Sequence, residues 1–147
     1  IPQESKVIEL GCGKGAFARH AAVKLKDYYG IDIDDASIAE AKSMSTHEFV
    51  LGDITKIRFE EPGCTFVSLE VFEHLPSAED LELLRQIPKG SRLIISVPSF
   101  NSKDHKRFFP YESSAIKYYE ETIDVDFWRK IRIPTGGGYF HLMRGYR

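Results

Sequence analysis

The sequence predicts a doubly wound α/β domain: a mostly parallel sheet of seven strands that ends in an antiparallel hairpin. Three observations carry that prediction. Short apolar runs alternate with helical patterns from residue 6 to residue 97. A turn holding Gly11, Gly13 and Gly15 follows the first apolar run directly. The last third ends in two alternating stretches joined by Gly136-Gly137-Gly138. Strands that alternate with helices imply parallel pairing through right-handed crossovers. A glycine turn between two alternating runs implies an antiparallel hairpin.

Residues 6–10 form a short buried strand, and the Ala- and Lys-rich pattern of 15–26 is helical. Residues 28–33 are a second strand, after which Asp34 or Asp35 caps a helix to about residue 43. Residues 48–51 form a third strand, ended by Gly52-Asp53, and residues 65–69 a fourth. A helical segment, 70–75, starts at the end of strand four. Residues 78–85 are helical with Leu81 and Leu84 three apart, and "RLIISV" at 92–97 is a fifth strand stopped by Pro98. Residues 113–121 are helical, 123–133 alternate as a half-buried strand, and 139–147 supply the last strand.

At 147 residues the chain is one domain. No apolar run reaches the roughly 18–20 residues of a membrane span, and no basic-then-apolar leader opens it. Cys12 and Cys64 have no metal-finger spacing, so reduced thiols in a cytoplasmic setting are expected. Charge is uneven. Residues 1–84 carry 8 basic and 16 acidic side chains, and residues 85–147 carry 12 and 6. The difference is either a solvated surface or a basic flank that attracts an anionic substrate.

In a doubly wound sheet, ligands bind at the carboxyl ends of the strands, where the strand order reverses beside strand one. Glycines there let the main chain turn tightly and approach a ligand with no Cβ in the way. Asp32 ends strand two, 19 residues beyond Gly13, placed to accept from a ribose diol. The loop therefore reads as a nucleoside site. "GCGKGA" satisfies the dinucleotide fingerprint G-x-G-x-x-G/A as well as E-x-G-x-G-x-G with Glu9. Glu9 suits a cationic ammonium group, and Asp53 at the tip of strand three suits an exocyclic amine. The length leaves no second mononucleotide half with a substrate domain.

From residue 6 to about 109 the chain resembles the class I S-adenosylmethionine-dependent methyltransferases, particularly their small type 11 members. The matching stretches are "VIELGCGKG", "YYGIDID", "LGDI", "LEVFEHLP" and "RLIISVPSF". The resemblance implies a Rossmann-like methyltransferase fold and a single domain over 1–147 that binds S-adenosylmethionine and releases S-adenosylhomocysteine. Glu9, Gly11 and Gly13 would border the methionine part, with Cys12 and Gly15 completing the loop. Asp32 would hold the ribose, Ile33 would lie against the adenine, and Asp53, followed by Ile54, would take its amino group. Main chain at Leu69 and Glu70 would pass the sulfonium. Two departures stand out. The family's acid at the start of strand four is replaced by Gly63-Cys64-Thr65-Phe66, and the helices it places ahead of strand one are expected to be missing or minimal.

Glu70, Glu73 and His74 in "LEVFEHL" stand at i, i+3 and i+4, one face if the segment is helical. His105 follows strand five, which should neighbour strand four. In the type 11 family the acids order the loop without metal. A comparable E-x-x-E-H with a later D-H resembles the magnesium-dependent 2′-O-methyltransferases of small-RNA 3′ ends, which implies a cation on Glu70, Glu73, His74 and His105. His74 or His105 as a metal-free general base is a third possibility, and incidental placement a fourth. The catalytic assignment goes to His74, His105 and Glu73, and a divalent metal is possible but not expected.

The expected function is methyl transfer to a small molecule or metabolite, with O-methylation favoured. RNA ranks lower because no long basic stripe or stacking-aromatic motif is present. The alternatives are a metal-assisted RNA 2′-O-methyltransferase, a non-catalytic cofactor-binding module of a larger assembly, and a nucleotide-dependent oxidoreductase. Phe100, Phe108, Phe109 and Tyr111 line a substrate mouth or pack in the core. Trp128 is core or edge cover, and Lys103, Lys106 and Arg107 form either a solvated loop or an anion contact.

Overall fold

The computed structural model describes the chain apart from residues 2–5, 22–24, 26, 77 and 135. Its centre is β1 (Val7–Leu10), all four residues of which are buried. β1 pairs in parallel with β2 (Tyr28–Asp32) on one side and with β4 (Thr65–Leu69) on the other. β3 (Glu48–Leu51) extends the sheet beyond β2, and β5 (Arg92–Pro98) extends it beyond β4, both in parallel. The order β3-β2-β1-β4-β5-β7-β6 reverses direction between β1 and β4. That gap is where a crevice opens at the strands' carboxyl ends.

Pleating divides the apolar residues between two faces. Ile8, Leu10, Phe66, Leu93 and Ile95 point to one face, Val7, Tyr28, Phe49 and Val67 to the other. The second face is covered by α1 (Ala16–Ala21) through Ala18 and by α2 (Asp35–Met44) through Ile38 and Ala41, three apart on one stripe. Asp34 caps α2: its Oδ2 accepts from Ser37 N–H at 2.9 Å. The first face is covered by α3 (Glu79–Gln86), through Leu81, Leu83 and Leu84, and by α4 (Glu112–Tyr119), through Ala115 and Tyr119. Part of the helix expected over 15–26 lies outside the described residues.

Two expectations about local structure are corrected. The segment after β4 is no helix: only Phe72–His74 form a 3₁₀ turn, because Glu70 takes a left-handed backbone conformation (φ 58°). Strand β6 (Asp124–Arg132) is not half-buried either. As the outermost strand it is exposed at every residue but Val125, and Trp128 lies at the open edge. Among the described residues β6 pairs only with β7 (Tyr139–Tyr146), which runs antiparallel to β5 as expected for a closing hairpin. Arg144 lies over the Phe127 ring and Lys130 over the Tyr139 ring, so aliphatic stems and cations shield part of the exposed aromatics.

The register of β6 slips between Val125 and Phe127, leaving Asp126 free to take a bidentate pair from Arg144 at 2.8 and 3.2 Å. Gly145 makes that bulge possible: a Cβ there would stand 2.3 Å from the carbonyl oxygen of Asp124. Gly145→Ala is therefore expected to destabilise the fold by about 1–3 kcal/mol. Urea denaturation checks this, and an unchanged midpoint would contradict the account of the bulge.

Candidate active site

The glycine loop leaves β1 with Gly11, Gly13 and Gly15 all at positive φ. Gly11 and Cys12 N–H both donate to the Ile31 carbonyl, at 2.8 and 2.9 Å. Gly13 N–H donates to Asp32 Oδ2 at 2.6 Å, so the carboxylate at the tip of β2 clamps the loop. Gly11 is also required by space, since a Cβ would lie 2.4 Å from Val71 Cγ2. Gly13, by contrast, faces open space.

A cleft of about 480 Å³ opens beside this loop, between the tips of β1 and β4. Gly11, Gly13, Asp32 and Asp53 make its polar end. Ile33, Ile54, Leu69, Val71 and Leu75 form apolar walls, and Glu70 and His74 stand at the opposite side. Eight of the eleven expected cofactor residues thus meet at one cleft, and Glu9, Cys12 and Gly15 do not line it. Cys12 is buried against the second face, and burial pushes its thiol up to about 12, an inert group. Gly15 packs beneath the loop, where a Cβ would lie 3.0 Å from the Phe49 ring. Val71 and Leu75 are cleft residues that sequence reasoning missed. An apolar side chain inside "LEVFEHLP" gives no signal of which way it faces.

The carboxylates differ sharply. Asp53 accepts from Thr55 N–H and Thr55 Oγ1 at 3.0 and 2.7 Å and pairs with Lys56 at 2.7 Å. These bonds, Lys56 first, bring it down to about 2, so it is fully ionised. Glu9 is buried, and desolvation pushes it up to about 7 although the Tyr28 hydroxyl donates to Oε2. Gly30, opposite Glu9 in the register, leaves room for that hydroxyl.

Glu70 and Glu73 lie close enough to influence each other's carboxyl but differ in their further partners. Glu70 accepts from Ser96 Oγ at 2.5 Å, and its N–H donates back to the same hydroxyl at 3.2 Å. Glu73 is 1 % exposed, and among the described residues neither carboxylate oxygen has a partner at hydrogen-bond distance and angle; His74 Nε2 lies 3.9 Å from Oε1 and the Glu70 carboxyl is its other polar neighbour. Burial raises both carboxyls above the usual range. Donor atoms of Glu73, His74 and His105 lie within 4.8 Å of one another, while Glu70 stands outside that set. His74 Nδ1 donates to the Asp104 carbonyl at 3.1 Å and His105 Nδ1 to the Phe100 carbonyl at 3.2 Å. Carbonyl partners place the proton on Nδ1 and leave both Nε2 lone pairs free. This is the arrangement of a proton acceptor or of a cation site.

The remaining candidates disperse. Phe109 is core, Phe108 and Tyr111 are exposed, and Phe100 lies beside His105 with ring centroids 5.6 Å apart. His141 is buried, with Nε2 on the Phe109 carbonyl at 2.8 Å, and His20 bonds the Ala16 carbonyl. Arg107 is no surface anion contact, because it pairs with buried Asp80 at 3.1 Å.

A model of the methyltransferase-domain family matches residues 7–90. The chain belongs to that family. It is an enzyme, an S-adenosylmethionine-dependent methyltransferase, and the oxidoreductase alternative falls away. Solved structures share its fold. The Methanosarcina mazei S-adenosylmethionine-dependent methyltransferase is 14% identical, with TM-score 0.80, and covers 100% of this chain and 94% of its own. Magnesium protoporphyrin IX methyltransferase of Synechocystis PCC 6803, solved with bound S-adenosylmethionine, is 20% identical with TM-score 0.74. The match covers 97% of this chain and 70% of that one. A putative Haloferax volcanii methyltransferase, in complex with the activator Trm112, is 15% identical with TM-score 0.73, over 96% and 82%. No curated protein matches the chain. Among the described residues, no helix is long and apolar enough to cross a membrane.

The buried Glu9 generates a pH signature. Its folded pKa, about 7, lies above the ordinary 4.5, so it penalises the fold as pH rises. The penalty is absent below about pH 4.5 and complete above about pH 7. Glu9→Gln keeps an acceptor for Tyr28 and removes the charge. The variant should match the parent near pH 4.5 and gain up to about 3 kcal/mol relative to it by pH 8. Denaturant midpoints of both proteins across that range measure the difference, and parallel curves would contradict the burial account.

Proposed function

We propose that this enzyme methylates a hydroxyl group of a small-molecule acceptor bound against Glu73, His74 and His105. One observation carries the reading: His74 lines the cofactor cleft and belongs to the three-residue cluster, so the two sites share a wall.

Open glycine backbone, a cleft of about 480 Å³ and carboxylates at the tips of β2 and β3 fit an adenosyl sulfonium compound. Asp32 uses one oxygen on Gly13 N–H and the other on Asp34 N–H, and its remaining lone pairs suit a ribose diol. Ile33 and Ile54 suit the adenine faces, and Asp53 its amino group. Gly11 and Gly13 give close approach to the methionine part, and Glu9 places beneath them a carboxyl group that a nearby cation would help to ionise. Leu69 and Glu70 put main chain next to the sulfonium. When bound, S-adenosylmethionine supplies a methyl carbon that is already a good electrophile. The chain's own task is to align an acceptor oxygen with it and to remove that oxygen's proton. His74 or His105 takes the proton at Nε2, and Glu73 balances the resulting imidazolium.

A second reading is favoured by the orphaned oxygens of Glu73. A buried carboxylate with no hydrogen-bond partner among the described residues, beside two imidazoles held by carbonyls and with donor atoms within 4.8 Å, fits a divalent transition ion. Glu73, His74 and His105 would hold such an ion, which lowers the pKa of a hydroxyl bound to it.

Calorimetry should show binding of S-adenosylhomocysteine but not of NAD. Asp32→Ala should weaken that binding by about 10–100-fold, the worth of charge-assisted hydrogen bonds to one carboxylate. Labelled methyl transfer to a panel of polyols, catechols and hydroxy acids tests the reaction. His105→Ala should lower kcat/KM by about 10²–10⁴-fold and leave cofactor affinity nearly unchanged. Equal rates for this variant and the parent would remove the cluster from the mechanism. Loss of activity in chelator, with recovery on cobalt or manganese, selects the second reading.

A further inference from the structure

We propose that Arg107, held by Asp80, is a positioning residue that fixes the Glu73–His74–His105 cluster from behind. The proposal rests on the reading of that cluster as the acceptor end.

The cluster has no regular element to stand on. Glu73 and His74 occupy a single 3₁₀ turn, and His105 lies in the irregular stretch between β5 and α4. Two links join these pieces. Lys106 N–H donates to the Glu73 carbonyl at 2.7 Å, which sets the loop against the turn. One residue further on, the Arg107 side chain runs back beneath the turn, and its Nη2 reaches the Phe72 carbonyl at 3.4 Å and Asp80 Oδ1 at 3.1 Å. Its guanidinium carbon lies 4.6 Å from the centroid of the Tyr118 ring, and Nη1 donates to the Tyr118 hydroxyl. A single planar fork thus touches the neighbour of Glu73 while sitting two residues beyond His105.

The far end of the fork is rigid. Asp80 is fully buried in the first turn of α3, and Tyr118 and Tyr119 donate to its two oxygens at 3.1 and 2.9 Å. A buried ion pair adds little net stability over an apolar pair of similar volume. What it does supply is geometry: Nε has no hydrogen-bond partner among the described residues, but the two terminal nitrogens, fixed in one plane, meet Tyr118 on one side and Phe72 and Asp80 on the other. Lysine reproduces the charge without the plane.

The test separates positioning from stability. In Arg107→Met with Asp80→Asn both charges are gone, so no uncompensated ion remains, and the double variant should unfold near the parent's denaturant midpoint. It should also bind S-adenosylhomocysteine as the parent does. Nitrogen-15 NMR of the histidine side chains at pH 8, without metal or substrate, reads the tautomers. The parent should show separate Nδ1 and Nε2 resonances for His74 and His105, as carbonyl-bound Nδ1–H groups require. In the double variant the His105 pair should collapse toward its average as the Phe100 contact is lost. Retention of the parent's separated resonances in the folded double variant would overturn the proposal. Should that variant fail to fold, Arg107→Lys is read by the same resonances with the same two outcomes. Because the readout needs no methyl transfer, failure of the His105→Ala activity test counts against the function and not against this positioning role.

Discussion

Asp32 Oδ2 on the N–H of Gly13 is the interaction on which the cleft depends. The sheet reverses its order between β1 and β4, so the chains leaving those two strands diverge to opposite faces and a crevice is left between them. An open crevice is useful only if its floor is bare backbone in a fixed shape. The carboxylate at the end of β2 supplies the fixing, and Gly52 N–H on the Asp32 carbonyl ties in the tip of β3 as well. Val71 closes the other side, directly over Gly11, where any side chain would collide with it.

Carboxyl groups concentrate around this crevice in two physically distinct states. Asp53 is wet, paired and fully ionised, whereas buried Glu9 and Glu73 and half-buried Glu70 hold their protons to higher pH because of desolvation. A region that penalises its own carboxylates rewards any cation that arrives. An ammonium and sulfonium ligand in the cleft meets that condition, as does a metal ion next to Glu73. The two basic residues that follow His105 in the chain behave differently from each other. Arg107 is consumed by Asp80 within the protein, and Lys106, exposed, contributes its backbone N–H to the Glu73 carbonyl.

Much of this was legible from the residues. The bounds of β3 and β4 match the sequence-based ones, the antiparallel hairpin lies where Gly136–Gly138 announce it, and eight expected cofactor residues share one cleft. The failures have specific causes. Spacing alone put Glu70, Glu73 and His74 on one helical face, but the left-handed backbone at Glu70 turns it onto Ser96, a residue 26 positions away. The alternation of 123–133 is real, yet its place at the sheet edge leaves it solvated.

The sequence by itself determined the class of the fold, the bare turn after β1 and the acids at the tips of β2 and β3. Those features are local, set by pleat period, glycine conformation and position within a strand–turn–helix unit. Tertiary structure alone decided which acid of the E-x-x-E-H stretch joins the histidines and which is spent on Ser96. It also decided that Arg107 lies half-buried behind them, paired with Asp80, and that Glu9 sits under the loop rather than in the cleft. Each of those outcomes depends on contact between segments distant in the chain, where burial and packing direction, absent from any local pattern, settle which partner a polar group finds.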